Sequence, residues 1–367
     1  VVKLPEGVNE RDLEARFQGA LRALIARVPF LTLGSLKRDV PLGTGGIVRL
    51  DWLAELRSGE QSWMLVVEGK RNGQPREVRS AVLQLKDDLS RLPPDRPACG
   101  VVLAPFISEE SARICAEAGI GYADLAGNLR LSFDRIFIEV RSAEKPRVVK
   151  REARSIFSPK ATRVLRLLLQ GPLRAWKVKE LAEAADVSLG HVSAVRQKLL
   201  AREWAVETED GIAISKPDAL LDAWVKGDDW SKRTEVREYS LLQNIPPEAA
   251  SKVVKLLKGK KHAFTQWFGA FLRQPYTLPV VTTLYVEDFP DEEILKKELG
   301  ARRVDDGGRL RLVRPADDGI FQCLQEIQGR KVVCDVQLYL DVISAGLRGD
   351  EAAEELRKAK DFSGGWK

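Results

Sequence analysis

Glu68-Gly69-Lys70 is the only place in the chain where an acid stands two residues before a lysine. It closes the apolar run Trp63-Met64-Leu65-Val66-Val67, and Asp51 lies on the run before it. Two carboxylates on neighbouring strands can hold a divalent cation, Mg²⁺ or Mn²⁺, through hard oxygen ligands. A lysine beside them can orient or activate an attacking water. The same three residues also fit a plain surface salt bridge at a strand end. Other chemistries have little material. His191 and His262 are the only histidines, and Cys99, Cys115, Cys323 and Cys334 form no CxxC pair. A zinc site, a disulfide framework and a Ser-His-Asp triad are therefore not expected.

A second group of residues suits DNA. Ser188-Leu189-Gly190-His191-Val192-Ser193 opens a helix that continues through Arg196, Gln197 and Lys198. Val192, Val195 and Leu199 share its inward face, which leaves Ser188, Gly190, His191, Ser193, Arg196 and Gln197 outward. In a helix-turn-helix such a helix enters the major groove and reads base edges near its N-terminus. Gly190 keeps that start slim, and Lys177, Lys179 and Lys216 are placed to neutralise phosphates. Docking onto a protein is the other use of such a module.

The elements that position these groups fall into three blocks. Residues 1–140 read as an early helix (Leu13, Phe17, Leu21, Leu24, Ile25, Val28), then strands at 47–53 and 63–67. A helix at about 76–92, a strand at 100–103, a helix capped by Ser108 and a strand at 136–140 follow. This is an α/β layer with a mixed sheet. Asp124-Leu125-Ala126-Gly127-Asn128 reads as a turn with Gly and Asn at positive φ. Residues 141–157 are a basic linker with Arg141, Lys145, Arg147, Lys150, Arg151 and Arg154, either a tether or a phosphate-touching arm. Residues 158–226 give three helices and two strands about Glu209-Asp210-Gly211, the order of a winged helix-turn-helix. Residues 230–367 form an α+β block with strands at 280–286 and 309–313 and a helical tail from Val336 to Lys360.

Composition agrees with this division. The 367 residues suggest two or three domains at roughly 150 each. Charged residues make up 31% and apolar ones 44%, enough to build cores, and the net charge is +6. No apolar run nears the ~18 residues of a membrane span. Glu6, Glu10, Asp12 and Glu14 stand where a signal peptide would be apolar, so a cytoplasmic protein without a membrane partner is expected.

Two family resemblances follow from these residues. Asp51, Glu68 and Lys70, with the element order over roughly residues 10 to 140, resemble the restriction-endonuclease-like (PD-(D/E)xK) fold. The resemblance implies that Asp51 and Glu68 bind the metal and that Lys70 is the catalytic lysine. It also implies that Gln84 is an additional polar site residue and Glu14 a weaker, early-helix acid. The segments Leu278–Val286, Arg311–Phe321, Val336–Val342 and Arg348–Leu356 resemble the AbiEi-type antitoxin and transcriptional-regulator family, over about residues 230 to 360. That resemblance implies a repressor that binds its own promoter and is paired with a nucleotidyltransferase toxin. Within the same tail, Gln337, Tyr339 and Asp341 could form a site, although alternating Leu338, Leu340 and Val342 favour packing. The leading expectation is a regulator or defence-related protein that binds double-stranded DNA, with homodimerisation on a palindrome as one arrangement. The alternatives are a Mg²⁺-dependent DNA endonuclease targeted by the winged helix and an interaction protein that neutralises a toxin.

Overall fold

The computed structural model describes residues 10–42, 48–142, 156–171, 173–241, 246–275, 278–346 and 348–366. Most of the basic linker, including Lys145, Arg147, Lys150, Arg151 and Arg154, lies outside the described residues. The chain divides into two compact units, Val1–Ala153 with Gln197–Glu203, and Arg154–Arg196 with Trp204–Lys367.

The first unit is built on an eight-stranded mixed sheet. Its strands are β1 (Thr32–Leu33), β2 (Lys37–Leu42), β3 (Val48–Ser58), β4 (Gln61–Gly69), β5 (Ala98–Ala104), β6 (Gly121–Asp124), β7 (Leu129–Phe133) and β8 (Ile136–Val140). They run in the order β1-β3-β4-β5-β6-β7-β8, with β2 paired to the first half of β3. Helix α1 (Glu10–Ile25) carries Leu13, Phe17, Leu21, Leu24 and Ile25 at helical spacing and lays them on Trp52, Leu56, Leu65 and Val67 of one face. On the other face α2 (Pro75–Ser90) and α3 (Glu109–Glu117) place Val78, Val82, Leu85 and Ile114 over Val66 and Val102. Each such side chain removed from water contributes about 1.5–3 kcal/mol. Helices α2 and α3 are the crossovers that make β4, β5 and β6 parallel, and the flanking strands pair antiparallel.

Strand β2 escapes sequence patterning because Lys37, Arg38, Asp39 and Pro41 look like loop residues. An edge strand tolerates all four. The expected turn at Asp124 is a carboxylate-centred one. The buried Asp124 side chain accepts from the backbone N–H groups of Ile107, Ala126 and Asn128, and Gly127 supplies φ +96°. Asn128 is not at positive φ; its amide nitrogen instead donates to Asp124.

The rest of the chain runs α4 (Pro159–Leu169), α5 (Val178–Ala185), α6 (Leu189–Ala201), β9 (Ala205–Thr208), β10 (Gly211–Ile214), α7 (Pro217–Gly227) and α8 (Trp230–Arg233). Then come β11 (Thr234–Ser240), α9 (Pro246–Leu256), β12 (His262–Thr265), α10 (Gln266–Arg273), β13 (Thr282–Val286), α11 (Glu292–Leu299), β14 (Arg302–Val304) and β15 (Leu310–Pro315). The chain finishes with β16 (Gln325–Ile327), β17 (Arg330–Val332), α12 (Asp335–Ile343) and α13 (Gly349–Arg357). Seven of these strands make a second mixed sheet in the order β14-β11-β15-β13-β12-β17-β16. The tail is two helices rather than one continuous helix. Arg348 enters the second at φ +68°, and a side chain at Gly349 would meet the Val342 carbonyl at 2.4 Å. The protein is thus multidomain α/β with two mixed sheets.

Inside the second unit a buried polar network ties α4 to the sheet. Arg166 donates twice to Gln337 Oε1, at 3.0 and 2.9 Å, and Gln337 Nε2 donates to Asp341 at 2.7 Å. The fully buried Asp341 also meets Arg233 Nη2 at 2.9 Å, the Tyr285 hydroxyl at 3.2 Å and the Thr265 hydroxyl. Nearby, Arg163 bridges Asp317 at 2.7 Å and Asp186 at 2.9 Å. Gln337 and Asp341 are therefore packed into the interior on α12, as hydrogen-bonded members of a buried cluster.

Candidate functional site

Strands β3 and β4 pair in antiparallel register as far as Trp52 and Val67, and the same register carried one residue further sets Asp51 opposite Glu68. There the ladder is replaced by a side chain: the Gly69 N–H donates to Asp51 Oδ2 at 3.0 Å. Glycine is required at this point, since a Cβ on residue 69 would lie 2.5 Å from the Trp52 ring. Lys70 is held by its N–H to the Leu103 carbonyl at 2.8 Å, and its ammonium reaches Glu68 Oε1 at 2.8 Å. Asp51, Glu68 and Lys70 therefore converge at one end of the sheet.

Their environments differ. Glu68 is 4% exposed, whereas Asp51 is open to solvent. Burial pushes the Glu68 carboxyl up to about 7. Lys70 pulls against that shift, while the neighbouring Asp51 carboxylate, within hydrogen-bonding reach, adds to it. Asp88, buried on α2, is raised mainly by burial and also by Asp87 and Asp51.

Above it lies a cavity of about 410 Å³ lined by Glu14 of α1, Arg38 and Asp39 of β2, Arg49 and Asp51 of β3, and Lys70 and Arg71. Arg38 pairs with Glu14 at 2.6 Å, and Arg49 Nη2 with Asp39 Oδ2 at 2.9 Å. Asp39 sits at φ +51°, an uncommon backbone for a non-glycine residue. Sequence reading missed Arg38, Asp39 and Arg49 because the strand that carries Arg38 and Asp39 has no apolar alternation. Gln84 is exposed on α2 and is not among the residues lining this cavity. Asp51 and Glu68 are the residues whose oxygens could hold a divalent ion. Among the described residues no group of three or more His, Cys, Asp and Glu side chains is arranged to do so.

The second candidate surface belongs to α5 and α6. Val192, Val195 and Leu199 are buried, and Asp186 turns the chain between the two helices at φ +52°. Ser188, Gly190 and Gln197 are exposed, and His191, Ser193 and Arg196 are partly so. A Cβ on Gly190 would meet nothing within 4 Å, so the fold does not require glycine there. Arg196 is held by Glu207 of β9 at 2.5 Å. Lys177, Lys179 and Lys216 are exposed. Sequence reading also missed a third strand-like contact, a two-bond bridge between Trp176 and Ile212 at 2.9 and 3.0 Å. Gly211, at φ +128°, lets the chains approach this closely, since a Cβ there would stand 2.1 Å from the Trp176 carbonyl oxygen. Of the linker cations, Arg141 is described and pairs with Glu139 at 3.1 Å.

No helix among the described residues is long and apolar enough to cross a membrane. No family model matches the chain, and no curated protein does. Among solved structures, a repair endonuclease from Pyrococcus abyssi is similar at 18% identity over 29% of this chain, with a TM-score of 0.21. The likeness covers 46% of that endonuclease, less than half its length, and is too slight to argue from.

Proposed function

We propose that this chain acts on double-stranded DNA, binding it with a winged helix-turn-helix at 158–226 and hydrolysing a phosphodiester at Asp51, Glu68 and Lys70. The observation that carries the proposal is the convergence of those three side chains beneath a cavity that also holds Arg38, Arg49 and Arg71. In this reading residues 1–140 are a restriction-endonuclease-like domain and 230–367 an α+β domain. The Trp176–Ile212 bridge supports the winged-helix reading, because it adds a third strand to the β9–β10 hairpin.

The donor set fits a hard divalent cation. Asp51 and Glu68 would hold Mg²⁺ or Mn²⁺, with water and phosphate oxygens completing the shell as is usual for Mg²⁺. When bound, such an ion supplies Lewis acidity and positive charge toward the phosphate. With an ion held between them, Asp51 and Glu68 would act as its ionised ligands, and Lys70 beside them can orient or activate the attacking water. The Lys70 ammonium offers a fixed cation to the charge that develops on the phosphate. The cavity lining carries Arg38, Arg49, Lys70 and Arg71 against Glu14, Asp39 and Asp51, a balance that favours a negatively charged backbone.

A second reading is a regulator that binds DNA without cutting it, and the closed Glu68–Lys70 ion pair favours it. An antitoxin role with a nucleotidyltransferase partner would fall under this reading, on the C-terminal segments quoted above. Plasmid DNA incubated with Mg²⁺ or Mn²⁺ tests the two. Nicking by the wild type and none by Glu68→Ala, with binding retained in both, supports the nuclease. Tight binding without nicking under any divalent ion leaves the regulator.

A further inference from the structure

Most arginines of the second unit are spoken for by acids, among them Arg163, Arg174, Arg196, Arg233, Arg273 and Arg357. The lysines of one helix are different. Residues 246–261, which cover α9 and the turn after it, hold five lysines against Glu248 alone, a net of +4 in a chain whose total is +6. Ala250, Val253 and Leu257 face the interior, and Lys252, Lys255, Lys258 and Lys260 are exposed. Among the described residues no acid lies within ion-pair distance of these four, whereas Lys261 is engaged by Glu287 and Asp318. Arg330 of β17 extends the patch at its other end, where its guanidinium reaches the Ser251 hydroxyl at 3.3 Å.

One lysine in the last helical turn is accounted for by the helix dipole, which favours a cation there by a few tenths of a kcal/mol to about 1. Lys258 just past the helix end shares that favour, but Lys252, a turn earlier, and Lys260, beyond the turn, gain less from it, and the four repel each other. We propose that this stripe is a second, sequence-independent contact with the phosphates of duplex DNA; the proposal rests on the DNA reading above. The spacing suits that partner. Lys252 to the helix end at Leu256 spans about 6 Å at 1.5 Å per residue, with Lys258 and Lys260 in the turn beyond it. One DNA strand presents a phosphate about every 3.4 Å of axis, so about two to three phosphates match the stripe. A protein partner fits less well, because lysine is depleted from protein interfaces, which are anchored by aromatic and apolar side chains. Insertion into a membrane needs an apolar face, and here that face is already buried in the protein.

The test uses the full chain with metal chelated, so that cleavage does not interfere. Binding to a fluorescent random-sequence duplex is measured between about 50 and 200 mM salt, the range over which phosphate contacts reveal themselves. The wild type is compared with a quadruple variant (Lys252→Gln, Lys255→Gln, Lys258→Gln, Lys260→Gln) and with Arg196→Ala, and unchanged thermal unfolding verifies that the quadruple variant is folded. The quadruple variant should show a slope of log affinity on log salt shallower by about 2–3, at about 0.9 per phosphate, with the same weakening for every sequence. Arg196→Ala should alter discrimination between sequences and change the slope by about 1 at most. A quadruple variant with wild-type slope and affinity overturns this proposal and leaves the winged helix standing. A wild type that binds no duplex at any salt overturns both. Binding to phosphatidylserine vesicles that the quadruple variant loses, with DNA binding untouched, assigns the stripe to lipid and overturns it too.

Discussion

Replacing Glu68 by glutamine should make the metal-free protein more stable at pH 8, although the residue sits at the heart of the candidate site. The Glu68 carboxyl is raised from an ordinary 4.5 to about 7, first by burial. The folded state therefore binds that proton more tightly than the unfolded state does. The resulting stabilisation is fully present below about pH 4.5 and is lost as pH climbs through about 7. The rise from 4.5 to about 7 corresponds to roughly 3 kcal/mol at about 1.36 kcal/mol for each tenfold change in proton affinity. Glutamine keeps the shape of the protonated acid and never ionises. It forgoes the charged contact with Lys70, so the net gain above pH 7 should fall at about 1–3 kcal/mol. Thermal unfolding of the first unit should rise by about 2–4 °C for each kcal/mol. The stability of Glu68→Gln should also be flatter than wild type between pH 5 and 8. Mg²⁺ should reverse the order, because the wild type gains about 2.7 kcal/mol at a concentration one hundred times its Kd and the variant gains little. Equal stability of the two proteins at pH 8, with parallel pH profiles, would refute the claim that this carboxylate is held against its charge.

Three further outcomes follow from specific contacts. Gly69→Ala should destabilise the first unit by about 1–3 kcal/mol, read by urea unfolding, because the new methyl group meets the Trp52 ring at 2.5 Å. Gly190→Ala should leave stability unchanged or raise it by up to about 1 kcal/mol, since open space surrounds that position. Under the proposed DNA reading, in which the start of α6 enters the groove, the same variant should bind DNA more weakly in a gel-shift assay. Asp341→Ala should cost about 1–3 kcal/mol, because it leaves the buried donors of Gln337, Thr265 and Tyr285 unpaired while Arg233 keeps Asp228; chemical denaturation measures it.

The parts legible from sequence were those with a strong local pattern. Glu68-Gly69-Lys70 stood out because it ends an apolar run, and the fold places that run in the sheet interior with Lys70 turned back onto Glu68. Helix α1 announced itself through five apolar residues at helical spacing. What stayed hidden has no periodic signal. Strand β2 is nearly all exposed, and β11 reads Thr-Glu-Val-Arg-Glu-Tyr-Ser, with charge on both faces of its strand. The Trp176 bridge is a single residue long, too short for any pattern. Alternation failed in α12 for a different reason. Every residue from Asp335 to Val342 is buried there, so neither a two-residue nor a helical period separates inside from outside. The cavity cations Arg38 and Arg49 reach each other's neighbourhood only through the β2–β3 ladder, which no spacing in the sequence encodes.

The fastening of α4 to the second sheet bears on how the chain can be cut. Punctuation in the sequence invites a boundary near residue 228, after the β9–β10 hairpin and α7. A fragment ending there would leave Arg166 without Gln337 and Arg163 without Asp317, and would open to water the surface that residues 317 and 337 now cover. Leu169 would lose the Ser363 hydroxyl that now caps its carbonyl at 2.6 Å. The three-helix module therefore shares buried polar contacts with the second sheet. Amide protons of α4 and of α12 should exchange with solvent at a common rate, as members of one cooperative folding unit that stretches over nearly two hundred residues of sequence.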